Sequence, residues 1–205
     1  MESPLQTTGK IGRQAEKSAA TREHLLQATI DCLNEKGYHG TSTNDVVDRA
    51  GSSRGALLHH FPNRKKLFTA TAVYLTHKWL QSMQVALVAA SSDADRVESG
   101  IQIIGYLVTQ PDFNAFMELT IASRTDDDLR HDLLQLRTRF ITAAEEFSRA
   151  LFPRFVASSP DWNREFHAMI HYLEGLALSQ MITKDRNELE DSLRFMLEYR
   201  SPRDK

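Results

Sequence analysis

Apolar residues recur along this chain at spacings of three and four with few interruptions, a periodicity that predicts helices nearly throughout. Leu25, Leu26, Thr29, Ile30 and Leu33 share one face of a first helix, with Thr21 placed to cap it and Glu23 in its first turn. Gly37 ends that helix, because glycine takes the left-handed conformation beyond a helix C-terminus without strain. Ser42 to Asp45 then reads as a capping box, the serine hydroxyl accepting from the Asp45 amide while the carboxylate reaches back. The short helix that follows buries Val46, Val47 and Ala50 and stops at Gly51. Ser53 caps a third helix, Arg54 to His60, which Phe61-Pro62 terminates. Two short helices joined by a tight Gly51-Ser52 turn have the form of a helix-turn-helix. In that motif the second helix lies in the major groove of DNA, its early residues toward base edges. Asn63 caps a long fourth helix whose first turn holds Arg64, Lys65 and Lys66. Cations there oppose the helix dipole, and a nearby phosphate backbone gives that charge a purpose.

Further along, the pattern predicts helices over 64–90, 94–109, 112–124, 126–152, 161–183 and 186–199. Breaks fall at Ser91-Ser92-Asp93, Gln110-Pro111, Thr125 and Ser158-Ser159-Pro160. Trp79, Met83, Ile101, Ile104, Leu107, Phe113, Phe116, Met117 and Ile121 line these segments, followed by Leu133, Leu136, Phe140, Ala144 and Phe147. Their plainest role is the core of a helical bundle. The fold class is therefore all-α, a three-helix DNA-binding domain followed by a larger helical domain. Residues 1–20 read as a flexible tail whose Lys10, Arg13 and Lys17 can reach along phosphates, residues 21–68 as the helix-turn-helix domain, and 69–205 as the larger domain.

Composition narrows the picture. A hydrophobic share of 41% and a charged share of 25% are those of an ordinary soluble protein. No apolar run reaches the roughly 18 residues of a membrane span, the N-terminus lacks a signal-peptide core, and the lone Cys32 excludes an internal disulfide. These features point to the cytoplasm. The formal net charge of -2 conceals an asymmetry: residues 1–70 carry ten Lys/Arg against seven Asp/Glu, whereas the remainder carries fifteen against twenty. A basic module joined to an acidic one suits a nucleic-acid reader attached to a domain with another task.

The run from Ala50 through Gly-Ser-Ser-Arg-Gly-Ala-Leu-Leu-His-His-Phe-Pro-Asn-Arg-Lys-Lys to Leu67-Phe68 resembles the signature of the TetR (tetracycline-repressor) family of bacterial regulators. Thr21-Arg22-Glu23, Lys36-Gly37-Tyr38 and Thr41-Ser42 fall at the family's usual spacings, so the likeness covers about residues 21–68. The resemblance implies that Thr43 and Asn44 touch phosphate or a base edge. It places Ser53, Arg54 and Gly55 at the groove-facing start of the recognition helix, and His59, His60, Arg64, Lys65 or Lys66 on phosphates. Arg54 suits direct readout, because its fork bonds guanine O6 and N7 together. Two departures stand out: Leu58 occupies a position usually held by an aromatic, and Ser52 one where Val is common.

For the larger domain the resemblance implies a small-molecule pocket, for which Met83, Phe113, Phe116, Met117 and Phe140 are the nominated lining residues. The final helices carry Phe166, Met169, Ile170, Leu173, Leu176, Ala177, Gln180 and Met181, then Leu189, Leu193 and Met196, with small residues at Gly175 and Ser179. Two such helices from each of two chains can form a four-helix bundle, the family's way of dimerising, although packing within one chain fits the same pattern. The implied activity is that of a homodimeric, ligand-responsive repressor on a palindromic operator, with no cofactor and no catalysis. A rival reading takes His167, His171 and Glu174, at helical spacing, as metal ligands of an enzyme or sensor. A third is an architectural DNA binder without an effector. Asp126-Asp127-Asp128 reads as the acidic start of a helix rather than a cation loop, and Cys32 as a packed thiol.

Arg54→Ala is expected to cost about 1–3 kcal/mol on the preferred duplex and to relax specificity, whereas loss of a phosphate contact, the role expected of Arg64, weakens all sequences alike. Titration of both variants on preferred and random duplexes separates the two, and equal losses for Arg54→Ala would reject base readout.

Overall fold

The computed structural model describes residues 4–88 and 93–200, with side chains except at 4–13, 86–87, 93–98, 100–101, 151, 155 and 197–200. The readings placed on Ser91-Ser92, and on the side chains of Lys10, Arg13 and Ile101, lie outside the described residues. Among those described there are only helices: α1 (Pro4–Gly40), α2 (Thr43–Arg49), α3 (Arg54–His60), α4 (Arg64–Val88), α5 (Asp93–Val108), α6 (Pro111–Ala122), α7 (Asp127–Leu151), α8 (Pro153–Ser158), α9 (Trp162–Thr183) and α10 (Arg186–Arg200). None of them is long and apolar enough to cross a membrane.

Three boundaries differ from the sequence expectation. α1 begins at Pro4, not Thr21, so the stretch expected as a tail is helical from there. Thr21 is an interior residue whose hydroxyl donates back to the Lys17 carbonyl at 2.9 Å instead of capping. α8 was not anticipated; Pro153 starts it at a first-turn position, where a missing N–H costs nothing. Finally, the chain divides into units made of Met1–Tyr74 with Ala115–Leu133, and of Leu75–Asn114 with Leu134–Lys205, rather than at residues 68/69. α4, α6 and α7 each contribute residues to both units.

In the first unit Leu25, Leu26, Ile30 and Leu33 of α1 form a fully buried stripe, and Val46, Leu57, Phe61, Leu67, Phe68, Leu119 and Leu129 complete the core. Its connections are built as the residues dictate. Gly37 breaks α1 with φ 66° and ψ -179°, a conformation open to glycine, and an added Cβ would meet the Glu118 carboxylate at 3.2 Å. The break frees backbone groups that other segments must satisfy. The Tyr38 amide donates to Glu118 Oε2 at 3.2 Å, and the Tyr38 hydroxyl to Asp126 Oδ2 at 2.6 Å. Arg64 donates through Nε to the Thr41 carbonyl at 2.8 Å and through Nη2 to the Tyr38 carbonyl. Its guanidinium also lies over the Tyr38 and Phe68 rings, 4.4 and 4.3 Å from their centroids.

The second unit has two apolar clusters. Val108, Ala177, Leu189 and Leu193 are buried together, with Ile104, Phe113, Leu173 and Leu176 packed against them. Ala144, Trp162 and Phe166 form the other, bordered by Leu80, Ile141, Val156, Met169 and Ile170. Buried Gln180 ties the turn between α9 and α10 by donating to the Asp185 carbonyl at 2.8 Å, and Lys184 takes the left-handed conformation there with φ 51°.

Arg64→Ala removes two charged hydrogen bonds to carbonyls that then lack partners, and is expected to destabilise the protein by roughly 2–3 kcal/mol. Thermal melting without DNA checks this; an unchanged melting temperature would leave Arg64 with no structural role.

Candidate nucleic-acid interface

The helix-turn-helix forms through local bonds that its sequence encodes. Ser42 Oγ accepts from the Asp45 amide at 3.2 Å and the Ser42 amide donates to Asp45 Oδ2 at 2.8 Å, the complete capping box. Lys36 of α1 holds the same carboxylate, and with the Ser42 bonds it keeps Asp45 well below the usual carboxylate range. At the other end of α2, Gly51 has φ 56°, its amide donates to Asp48 O at 3.3 Å, and the Ser52 amide donates to Val47 O at 3.0 Å. That is a Schellman turn, and it sets the direction in which α3 leaves. Ser53 Oγ accepts from the Ala56 amide at 3.1 Å to start α3, and Asn63 Oδ1 accepts from the Lys66 amide at 2.9 Å to start α4.

α3 buries Leu57 and exposes a contiguous face of Arg54, Gly55, Leu58 and His59. Among the described residues nothing ties the Arg54 side chain to the rest of the chain, so its fork is available. Gly55 is informative. A Cβ there would meet only Ser53 Oγ, at an ordinary 3.9 Å, so the protein's own packing does not require glycine. Glycine inside a helix costs about 1 kcal/mol relative to alanine, and an exposed one marks a place where another surface approaches the backbone closely.

The remaining candidates divide. Thr43 is half-buried and Asn44 exposed in the first turn of α2, and exposed Ser53 is the cap of α3. His60 is half-buried against Phe61 and His59, and burial, with the neighbouring His59 and Arg22, pushes its imidazole below the ordinary 6.5. It is thus neutral near pH 7 and offers a hydrogen bond rather than a charge. Lys65 pairs with Asp128, and Lys66 with Asp132 at 3.3 Å. Asp132 also accepts from the Thr69 hydroxyl at 3.0 Å; burial pushes its pKa up, but that bond and Lys66 outweigh it and leave it below the usual carboxylate range. Arg64 is turned inward, as described. The acidic run at 126–128 does begin a helix: Asp126 caps α7 by accepting from the Leu129 amide at 2.9 Å.

Comparison with known proteins agrees with this geometry. Residues 25–71 match the bacterial regulatory proteins of the tetR family. The chain is 27% identical over 179 residues to the HTH-type transcriptional regulator CymR of Pseudomonas putida, covering 86% of this chain and 87% of that protein. Over its first helices the chain is similar to the TetR family. An uncharacterized HTH-type regulator of Mycobacterium tuberculosis is 28% identical over 154 residues, 70% of this chain and 79% of its own. In fold, a TetR transcriptional regulator from Chloroflexus aurantiacus superposes with a TM-score of 0.74 at 21% identity, over 91% of this chain and 97% of that one.

Beyond the helix-turn-helix, the chain shows further arrangements that its sequence did not make plain. The rival metal reading finds no support: Arg137 grips the Glu174 carboxylate, and the described residues contain no cluster of three or more potential ligands. Of the residues expected at a dimer interface, Phe166, Ala177, Leu189 and Leu193 are buried in the chain's own clusters, and Met169, Ile170, Leu173 and Leu176 pack against them; Met196 is half-buried. The apolar face that α9 leaves exposed is instead Tyr172, Leu178 and Ile182, with Gly175 between and Ala168 one turn before, and Phe195 is exposed on α10. Of the nominated pocket residues, half-buried Met83, Phe113 and Phe140 belong to the second unit. Half-buried Phe116 and buried Met117 belong to the first.

The bracing residues Tyr38, Glu118, Asp126 and Asp132 escaped sequence reasoning because their partners lie far along the chain. Tyr38 had a signal in its place directly after the helix-ending glycine, and Asp126 in the acidic run that starts α7, but neither named the partner.

Gly55→Ala is expected to leave thermal stability unchanged or raised by up to about 1 kcal/mol. DNA binding should weaken by about 1–3 kcal/mol, the size of one lost specific contact. Melting and anisotropy titration on one preparation test both, and a variant that binds DNA as well as the wild type would reject close approach at this helix.

Proposed function

We propose that this protein is a homodimeric repressor that reads a palindromic operator through α3 and releases it when a small apolar molecule binds. The observation that carries the reading is the exposed face of α3, where an unengaged arginine stands beside a glycine that the chain's own packing does not need. Arg54 would bond a guanine edge, with Thr43, Asn44, Ser53 and His59 holding phosphates or bases around it. Lys65 and Lys66 would reach phosphates by exchanging carboxylate partners, since exposed ion pairs are weak in water. Arg64 and His60 support the scaffold more than the contact.

Support for a dimer comes from α9. Tyr172, Gly175, Leu178 and Ile182 follow one another at helical spacing, and Ile182 is 85% exposed. An added Cβ at Gly175 would meet no atom within 4 Å, so the backbone is open to close approach by another helix. The Tyr172 hydroxyl donates to the Ser192 carbonyl at 3.1 Å, one turn before exposed Phe195. Two-fold pairing there would give the dimer one α3 for each half-site. For the effector, the support is local to the second unit: Trp79 and Phe113 stack at 5.4 Å, with Met83 one turn beyond Trp79. An aromatic pair beside an adaptable methionine suits an apolar ligand. Binding would lower DNA affinity by the ligand's preference for the non-reading conformation.

Selection from a random duplex library should return an inverted repeat, and sedimentation equilibrium should give a dimer. Ile182→Asp is expected to yield a folded monomer that has lost binding to the two-half-site duplex. A single unrepeated motif would reject the palindrome, and a dimeric Ile182→Asp variant would reject the α9 face.

A further inference from the structure

We infer that Leu58 is a specificity-determining residue that reads the C5-methyl group of a thymine next to the base contacted by Arg54. The inference rests on the DNA-reading role proposed above and adds a chemical class of contact to it. A singly exposed leucine on a protein surface needs no explanation. Leu58 differs by its place: it is 49% exposed and sits one helical turn after Arg54, on the same α3 face as Gly55 and His59. Leu57 next to it supplies the core contact and is 1% exposed, so the chain's packing makes no demand on the Leu58 tip.

The direction of side chains on a helix fixes what Leu58 can meet. They lean toward the N-terminus, so Leu58 covers the turn occupied by Arg54 and Gly55, the turn that approaches the groove floor most closely. Gly55 contributes no side chain there, which would leave the leucine methyls room beside the bases. Residues four apart on a helix are about 5–6 Å apart at Cβ. One base-pair step is about 3.4 Å, which places Leu58 one or two steps from the Arg54 contact. In the major groove every base edge presents hydrogen-bonding groups, and thymine alone adds an apolar one, its methyl. A leucine carried into the groove loses water from its methyls and has no polar group to offer. It is favoured where a thymine methyl fills the space and disfavoured where a cytosine amino group or a purine edge would be desolvated against it.

The test uses the full-length protein. A duplex selected by the wild type is remade with each thymine replaced in turn by deoxyuridine, which deletes only the methyl, and dissociation constants are read by anisotropy at fixed salt. The expected result is a thymine one or two base pairs from the base whose preference disappears in Arg54→Ala. Deoxyuridine there should weaken wild-type binding about three- to tenfold, the value of a buried methyl group. Leu58→Ala, which removes an exposed side chain and should melt as the wild type does, is expected to bind the thymine and deoxyuridine duplexes equally. Leu58→Met should keep part of the discrimination. The assignment is overturned if no thymine occurs at that place, if the wild type ignores every methyl deletion, or if Leu58→Ala retains the full penalty. A library from which the wild type enriches nothing overturns the DNA-reading role and this assignment together, whereas enrichment without methyl sensitivity overturns the assignment alone.

Discussion

The stacking of Arg64 on Tyr38 and Phe68 is the interaction on which the helix-turn-helix depends. Gly37 stops α1 in a conformation that leaves carbonyls unpaired, and the Arg64 fork takes up those of Tyr38 and Thr41 from the start of α4. A planar guanidinium can bond two carbonyls and lie on two rings at once, which a lysine ammonium cannot. Once that corner is held, Ser42 is in place to cap α2, Gly51 turns the chain, and Ser53 starts α3 with Leu57 inward. Arg54, Gly55, Leu58 and His59, the set proposed to face the groove, remain on the outside.

Charge in this region is organised inward before it can act outward. Lys36 holds Asp45, Arg49 holds Glu35, Lys65 holds Asp128 and Lys66 holds Asp132. Each pair is partly exposed and contributes little alone. Together they orient the cations and reduce the number that face solvent unengaged, so the basic excess of residues 1–70 overstates the charge available to phosphates. Asp126, lowered first by the Tyr38 hydroxyl and then by the Leu129 amide, belongs to the same framework. Its stabilising effect holds above the ordinary carboxylate value of 3.8 and is lost as pH falls through its lower folded value.

In the second unit the same physics decides which apolar residues are core and which are surface. α9 is apolar on more than one side, and α5 and α10 cover one of them: Ala177, Leu189 and Leu193 close on Val108, and the Gly105 Cα lies so near Leu193 that an added Cβ would stand 3.3 Å from its Cδ1. Another side closes on Ala144 through Trp162 and Phe166. What is left uncovered is the stripe of Tyr172, Leu178 and Ile182.

The sequence by itself determined most features that rest on contacts within a few residues: the capping box at Ser42, the turns at Gly37 and Gly51, the caps at Ser53 and Asn63, and the helix periodicity that makes the chain all-α; the cap read at Thr21 was the exception. Those bonds are short in sequence, so residue identity and spacing specify them. Helix α8 escaped for a related reason, because its few residues and lone Pro153 give no periodic signal. Tertiary structure alone decided how residues distant in sequence share a surface. It turned Arg64 inward, gave Lys65 and Lys66 carboxylate partners more than sixty residues away, and buried Phe166 and Leu193 where a partner chain was expected to lie. A helix apolar on two sides carries no mark of which side meets its own chain; only the neighbouring helices settle that, by covering one and leaving the other to water.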